Sequence, residues 1–288
     1  MSGLSITYSG LLAVRERRRL LALLWVQSVN LKVGCSPHGR DAGCCGAFGN
    51  WLPEVDRESM ENDCPTGSLD ERFDLNRDGF VILTDVVSAS RADALAGLGA
   101  GYGMRNLLRA CPAVAALAAH PKALVVSVLG ADAFAARGIY FDKLPGANWE
   151  VAWHQDLSIA VAERIDAPGF GGWSIKRGVP HVQPPVAVLE RMLTVRLHMD
   201  DCAADNGPLR VLRGSHAQGR LTDEQIERWK QTGEEVACLV PKGGALLMRP
   251  LLLHASAPAE NPRHRRVIHL EYATDPLPHG LRWFETAR

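Results

Sequence analysis

The segment AWHQDLSI, residues 152–159, sets His154 and Asp156 two apart with Gln155 between them. On an extended strand, residues i and i+2 project from the same face, so this imidazole and carboxylate can reach one ligand together. A third imidazole from a neighbouring strand would complete a two-histidine, one-carboxylate set. Such a set leaves three positions of an iron(II) ion open, enough for a chelating co-substrate and dioxygen. Taken alone, the same two residues are better read as a hydrogen-bonded pair on a partly buried strand.

The third donor must come from elsewhere in the chain. His38 and His120 precede the strand-rich half, His181 lies in a proline-rich loop, and His216 follows RGS in a turn. His264, His269 and His279 come after the last strand begins. His198, on an alternating strand, and His254, at the end of the apolar run LLMRPLLLHAS, are the strongest candidates. About ten residues beyond His254, RHRRV can offer a guanidinium to a carboxylate through a bidentate pair.

Two further clusters invite a metal reading. In DLNRDGFVILTD, Asp74, Asn76, Asp78, Gly79 and Asp85 approach the spacing of a calcium loop. The twelfth position holds Asp rather than Glu and the flank FVILTDVV is strand-like, so a polar turn feeding a strand is the better reading. In CSPHGRDAGCC, the spacing of Cys35, His38, Cys44 and Cys45 matches no paired zinc-ligand pattern.

The rest of the chain must position these groups. It has 288 residues, 47% hydrophobic and 22% charged, an ordinary globular composition. Lys+Arg and Asp+Glu balance at 32 each, which gives no basic excess to attract nucleic acid. No apolar run reaches the roughly 20 residues of a bilayer span, so no membrane partner is expected. RERRRLLALLWVQSV has a basic stretch before an apolar one but no clean cleavage site, and reads as an amphipathic or poorly ordered leader. Seven unevenly spaced cysteines suggest reduced thiols and a cytoplasmic protein.

Residues 1–68, rich in Gly, Ser, Cys and Arg, read as an N-terminal extension with little core, dispensable to a domain spanning 69–288. That domain begins with FVIL as a strand. Helical spacing follows in SRADALAGLGAGYGMRNLL, and CPAVAALAAHPKALVVSVLG opens with a proline suited to a first helical turn. AFAARGIYFDK returns to strand. RMLTVRLHMDD alternates, with Leu193, Val195, Leu197 and Met199 facing one way and Thr194, Arg196 and His198 the other. TDEQIERWKQTG is a helix with Thr222 and Gln225 as its capping box and Gly233 at its end. GGALLMRPLLLHAS and RRVIHLEYA close the chain as strands. Helices first and many short strands after predict an α+β chain, mainly β, built on a β-sandwich or jelly roll.

These pieces, in this order, resemble the phytanoyl-CoA dioxygenase family of iron(II)- and 2-oxoglutarate-dependent oxygenases. DGFVIL, GIYFDKLPGANWEVAWHQD, MLTVRLHMDDCAADNGPLRVLRGSHAQGRL, KGGALLMRPLLLHASAP and HRRVIHLEY carry the likeness, which covers roughly residues 73–284. The resemblance implies a double-stranded β-helix, or jelly roll, with packing helices. It implies Fe(II) held by His154, Asp156 and His254, with 2-oxoglutarate and O2 as co-substrates. It further implies Arg265 as the partner of the 2-oxoglutarate far carboxylate, and places Gln155, Trp173, Thr194 and Ser256 at co-substrate positions. Arg213 stands where the family usually has proline, and the Cys-rich leader has no counterpart.

The implied reaction hydroxylates a small-molecule substrate with release of succinate and carbon dioxide. An aspartate at position 156 favours hydroxylation over halogenation, which needs a small residue there to free a site for halide. Two other readings compete: a non-oxidative jelly-roll metalloenzyme (a hydrolase or isomerase), and a catalytically silent jelly-roll binding protein. The loop ERIDAPGFGGWSIKRGVPHVQPP is expected to be a mobile substrate cover, with Lys176, Arg177 and His181 facing either an anionic group or solvent. Arg265 and Arg266 must point to opposite faces of their strand. The polar side, Arg265, Val267, His269 and Glu271, is expected to line a hydrated cavity, and Arg266 with Ile268, Leu270 and Tyr272 the packed core.

Overall fold

The alternation in RMLTVRLHMDD produces a strand buried on both sides: all six residues of Leu193–His198 are buried. A strand of that kind must sit inside a sheet that is covered on one face and closed into a cavity on the other. The structure, a computed structural model, describes residues 69–98, 103–119 and 121–287. The N-terminal extension, with its signal-like stretch and its Cys35, His38, Cys44 and Cys45 group, lies outside the described residues.

In chain order the elements are β1 (Phe80–Leu83), α1 (Ala89–Ala96), β2 (Gly103–Arg105), α2 (Leu107–Ala110), α3 (Pro112–Ala118) and α4 (Lys122–Leu129). Next come β3 (Phe134–Lys143), β4 (Val151–His154), β5 (Ile159–Ala160), β6 (Gly171–Lys176), β7 (Val179–Gln183) and α5 (Val186–Glu190). The chain then forms β8 (Leu193–His198), β9 (Leu209–Leu212), α6 (Asp223–Thr232), β10 (Glu235–Cys238), β11 (Ala245–Met248), β12 (His254–Ser256) and β13 (Arg265–Ala273). All the strand pairings are antiparallel. The six-stranded sheet runs β1-β11-β8-β13-β3-β2, the four-stranded sheet β10-β9-β12-β4, and a small sheet β5-β7-β6.

The two larger sheets pack face to face. Phe80, Ile82, Leu246 and Met248 of the six-stranded sheet meet Leu209, Val211 and Cys238 of the four-stranded one. On the outer face of the large sheet, Val195, Leu197, Leu247, Ile268 and Leu270 pack against Leu95, Leu107, Leu117 and Val125 of the helices. Each such side chain contributes about 1.5–3 kcal/mol on full burial, which is why this face holds its register. This is the jelly roll with packing helices that the pattern predicts. Among the described residues, no single helix is long and apolar enough to cross a membrane.

Three expectations need correction. The helical pattern after Ser90 stops at Ala96, and Gly103–Arg105 instead pairs with β3 as an edge strand. Glycines at 97, 99, 101 and 103 each cost a helix about 1 kcal/mol relative to alanine, while the rim of β3 offers backbone hydrogen bonds. The run GGALLMRPLLLHAS is two strands rather than one. Pro250 has no N–H to give a ladder, the chain turns there, and β11 and β12 enter different sheets. His254 therefore opens a strand rather than ending one. Finally, the expected mobile cover is largely the β6–β7 hairpin, closed by Arg177 and Gly178 with φ of 53° and 77°. Positive φ at both turn residues is the geometry that matches strand twist.

The helix at 223–232 has the capping box expected from Thr222 and Gln225. The DLNRDGF turn is a buried carboxylate site. Asp78, 1% exposed, accepts from Arg213 Nε at 2.7 Å, Arg77 Nη2 at 2.7 Å and the Asp74 backbone N–H at 2.8 Å. The arginines hold its carboxyl far below the usual range, against the opposing effect of burial. Arg213, the departure from the family pattern, thus ties the end of β9 to the entry of β1. Asp78→Ala is expected to lower unfolding free energy by about 3 kcal/mol, the low end for breaking a buried pair, because Arg213 keeps some solvent. Chemical denaturation checks this, and a change under about 1 kcal/mol would show the pair to be incidental.

Candidate metal centre

His154 ends β4 and His254 begins β12, and the two are direct partners in the antiparallel register. Their rings lie 4.2 Å apart between centroids. Asp156 sits just past the strand, fixed by its backbone N–H to the Pro250 carbonyl at 2.9 Å. Its carboxylate reaches both rings: Oδ1 is 3.8 Å from His154 Nε2 and Oδ2 is 3.7 Å from His254 Nε2. One ligand atom from each residue falls within 4.8 Å of the others, and among the described residues this is the single such group of three or more.

The tautomers are set by the backbone. His154 Nδ1 lies 2.8 Å from the Ala152 carbonyl, and His254 Nδ1 lies 2.8 Å from the Leu252 carbonyl. A carbonyl only accepts, so each Nδ1 carries the proton and each Nε2 presents a lone pair toward Asp156. Burial, only partly offset by Asp156, brings His254 down to about 4 and keeps it neutral. Burial alone would raise Asp156, but His254, His269, His154 and Arg137 outweigh it and hold the carboxyl at about 2. Two imidazole nitrogens and one carboxylate turned to a common point fit a divalent iron ion.

The other expected residues divide by sheet. Gln155 is a buried clamp: its Nε2 donates to Leu251 O at 2.6 Å and Gly219 O at 2.8 Å, and its Oε1 accepts from Leu221 N–H at 2.8 Å. With both amide hydrogens engaged, it holds the turn on which Asp156 rides. Ser256 follows His254 by two on β12, buried, and so shares its face. Trp173 lies on β6 in the apolar cluster around Val161 and Val182, with the Arg164 guanidinium 5.3 Å from its ring centre. Thr194 and His198 lie on β8 in the opposite sheet, with neither Thr194 Oγ1 nor His198 Nδ1 hydrogen-bonded. His198 is thus grouped with Arg196 and Arg265, apart from the metal-ligand group. Arg265 is 6% exposed and shares the inner face with Val267 and His269. Arg266 points the other way, into an ion pair with Asp200 at 2.5 Å.

Sequence reasoning set Arg196, Arg265, His269 and Glu271 on the polar faces of their strands but missed Arg137 and Lys143, which join them on this inner face. Arg196 Nη1 donates to His269 Nδ1 at 3.0 Å, so His269 Nε2 donates to Glu271 at 3.2 Å. Glu271 also pairs with Arg137 at 3.0 Å, and Arg137 reaches the Ser158 carbonyl, two residues beyond Asp156. Lys143, 1% exposed, is the cross-strand partner of Arg265. Among the described residues, no carboxylate lies within ion-pairing distance of Arg196, Arg265 or Lys143. Burial, with Arg265 adding to it, lowers Lys143 to about 8 and Arg196 to about 10. The signal was present in AARGIYFDK, where Arg137 and Lys143 share the parity of Ile139 and Phe141 on one strand. A buried strand that spends charged residues on one face is lining a cavity with them.

The model of the phytanoyl-CoA dioxygenase family matches residues 103–267, which include His154, Asp156, His254 and Arg265. The chain belongs to the phytanoyl-CoA dioxygenase family. That membership, with the His-Asp-His group in place, makes it an iron- and 2-oxoglutarate-dependent oxygenase. Comparison with the curated proteins gives no significant match. Solved structures share the family fold at low identity. EctD from S. alaskensis with bound iron superposes with a TM-score of 0.54 at 21% identity, over 69% of this chain and 74% of that one. SnoK, a non-heme alpha-ketoglutarate-dependent carbocyclase of nogalamycin biosynthesis, gives 0.53 at 16% identity, over 70% and 81%. AviO1 from Streptomyces viridochromogenes gives 0.50 at 22% identity, over 71% and 95%.

Proposed function

We propose that the protein hydroxylates a small molecule that carries an anionic group, using iron(II), 2-oxoglutarate and dioxygen. The observation that carries the oxygenase reading is the convergence of His154 Nε2, His254 Nε2 and the Asp156 carboxylate on one point. Bound there, iron(II) supplies the oxidation, in which 2-oxoglutarate, O2 and R–H become succinate, CO2 and R–OH. The chain's own groups do the rest. Backbone carbonyls hold the two imidazoles in the ligating tautomer, and Gln155 fixes the Asp156 turn. Arg265 and Ser256 receive the far carboxylate, which would be costly to bury unpaired. An aspartate at position 156, where halogenation needs a small residue, favours hydroxylation over halogenation.

The anionic substrate rests on the mouth of the site. Arg105 pairs with Ile139 on the edge strand β2, which puts it on the inner face shared by Arg137 and His269. Lys176 and Arg177 form the tip of the hairpin whose partner strand β5 begins three residues after Asp156. Among the described residues none of these three cations has an ion-pair partner. Arg105 and Lys176 both lie within electrostatic range of Asp156. His181, by contrast, is buried with Nδ1 on the Val179 carbonyl and belongs to the core of the small sheet.

Turnover tests both parts. Candidate acids and their neutral amides are supplied with iron(II) and 2-oxoglutarate in air, and succinate and product mass are measured. An accepted acid is expected to gain one oxygen, to outperform its amide by about tenfold or more, and to lose that advantage in Arg105→Ala. Turnover independent of 2-oxoglutarate would sink the oxygenase reading, and equal use of acid and amide would sink the anionic one.

A further inference from the structure

We propose that Lys143 is a second anchor, beside Arg265, for the far carboxylate of 2-oxoglutarate. This rests on the co-substrate reading above and goes beyond it. Lys143 ends β3 and Arg265 begins β13, and the two face each other directly across the ladder. Directly opposed residues of an antiparallel pair share a face, so both side chains lie on the inner face of the sheet with Val267 and His269. They are 1% and 6% exposed.

Their tips converge on one crossing of the backbone. Lys143 Nζ donates to the Ala257 carbonyl at 2.5 Å, and Arg265 Nη1 donates to the Gly207 carbonyl. Gly207 itself abuts Ala257: a Cβ on it would lie 2.7 Å from the Ala257 oxygen. An ammonium has three donors, and the Ala257 carbonyl takes one of those on Lys143. Arg265 Nε is buried without a partner. Two buried cations with donors to spare and, among the described residues, no carboxylate in ion-pairing reach repel one another in a low dielectric. An anion lodged beside them satisfies both. The depressed basicity of Lys143, from burial and from Arg265, fits a pair awaiting a counter-charge. Ser256, next to Ala257 and two residues from His254, places this pocket one step along the strand from the metal ligand.

The test compares 2-oxoglutarate with 2-oxopentanoate, which keeps the chelating end and replaces the far carboxylate by a methyl group. Binding to the iron(II)-loaded full chain is measured by anaerobic calorimetry for wild type, Lys143→Met and Lys143→Gln, with thermal unfolding as the check on folding. Lys143→Met is expected to weaken 2-oxoglutarate at least tenfold, about 1.4 kcal/mol, while 2-oxopentanoate changes less than about twofold. Lys143→Gln, which can keep the Ala257 hydrogen bond, is expected to show the same selective loss and decides the matter if the Met variant does not fold. Equal losses for both acids, no loss for either, or failure of both variants to fold would make Lys143 a structural residue and overturn the proposal. If wild type itself binds the two acids equally, the co-substrate reading fails first, which separates the two outcomes.

Discussion

His254→Ala is expected to abolish iron(II) binding and 2-oxoglutarate-dependent turnover while the jelly roll survives. β12 is held by backbone pairing to both β9 and β4, and alanine keeps that pairing. The side chain's own contribution includes one Nδ1–H bond to Leu252 O, worth about 1 kcal/mol net. The metal instead loses one of three ligands, and among the described residues no other His, Cys, Asp or Glu joins the group. His198 is the test of that statement. It is a buried histidine on a neighbouring strand, but it lies opposite Val267 in the other sheet, and burial together with Arg196 and Arg265 keeps it neutral. His198→Ala is therefore expected to leave iron affinity within about threefold. Iron(II) titration of both variants, with thermal unfolding alongside, reads the result. Full iron affinity in His254→Ala would remove it from the ligand set.

Arg265→Ala is expected to raise the 2-oxoglutarate requirement about a hundredfold or more, and Arg266→Ala to change it only slightly. Cutting a buried charged pair costs about 3–5 kcal/mol, and each 1.4 kcal/mol is about tenfold in affinity. Arg265 offers such a pair because it is buried on the inner face with no carboxylate in ion-pairing distance among the described residues. Arg266 is already spent: its Nε and Nη2 hold Asp200 at 2.8 and 2.5 Å on the helix side of the sheet. Removing it should lower stability and leave co-substrate binding nearly intact. Apparent 2-oxoglutarate affinity and melting temperature, measured on both variants, separate the two effects. The reverse ranking would place the co-substrate on the other face of β13.

Periodicity carries face, and here it carried a great deal. Side chains alternate across a strand whatever its neighbours do, so β8 and β13 reveal in one dimension that Leu193, Val195, Ile268 and Leu270 share a side opposed to Arg196, Arg265 and His269. Caps are equally local: Thr222 and Gln225 bond to each other's backbone within one turn, and four residues suffice to predict them. His154 and Asp156 are readable as a pair from their spacing, although the strand ends at His154 and Asp156 is placed by its backbone N–H on the Pro250 carbonyl.

Pairing is different, because strand partners are chosen by long-range packing. Whether His254 or His198 joined His154 depended on which sheet each strand entered. The turn at Pro250, which sends β12 beside β4, decided it. Local pattern also left the role of Asp78 open between cation ligand and buried anion. Arg213, 135 positions away, settled it by arriving at 2.7 Å. The cationic cluster on the inner face was the least visible feature of all. Lys143, Arg196 and Arg265 come from β3, β8 and β13, which are distant in the chain and adjacent only in the sheet. Only the fold removes them together from water with no carboxylate in ion-pairing distance among the described residues, an electrostatic cost absent from any linear reading.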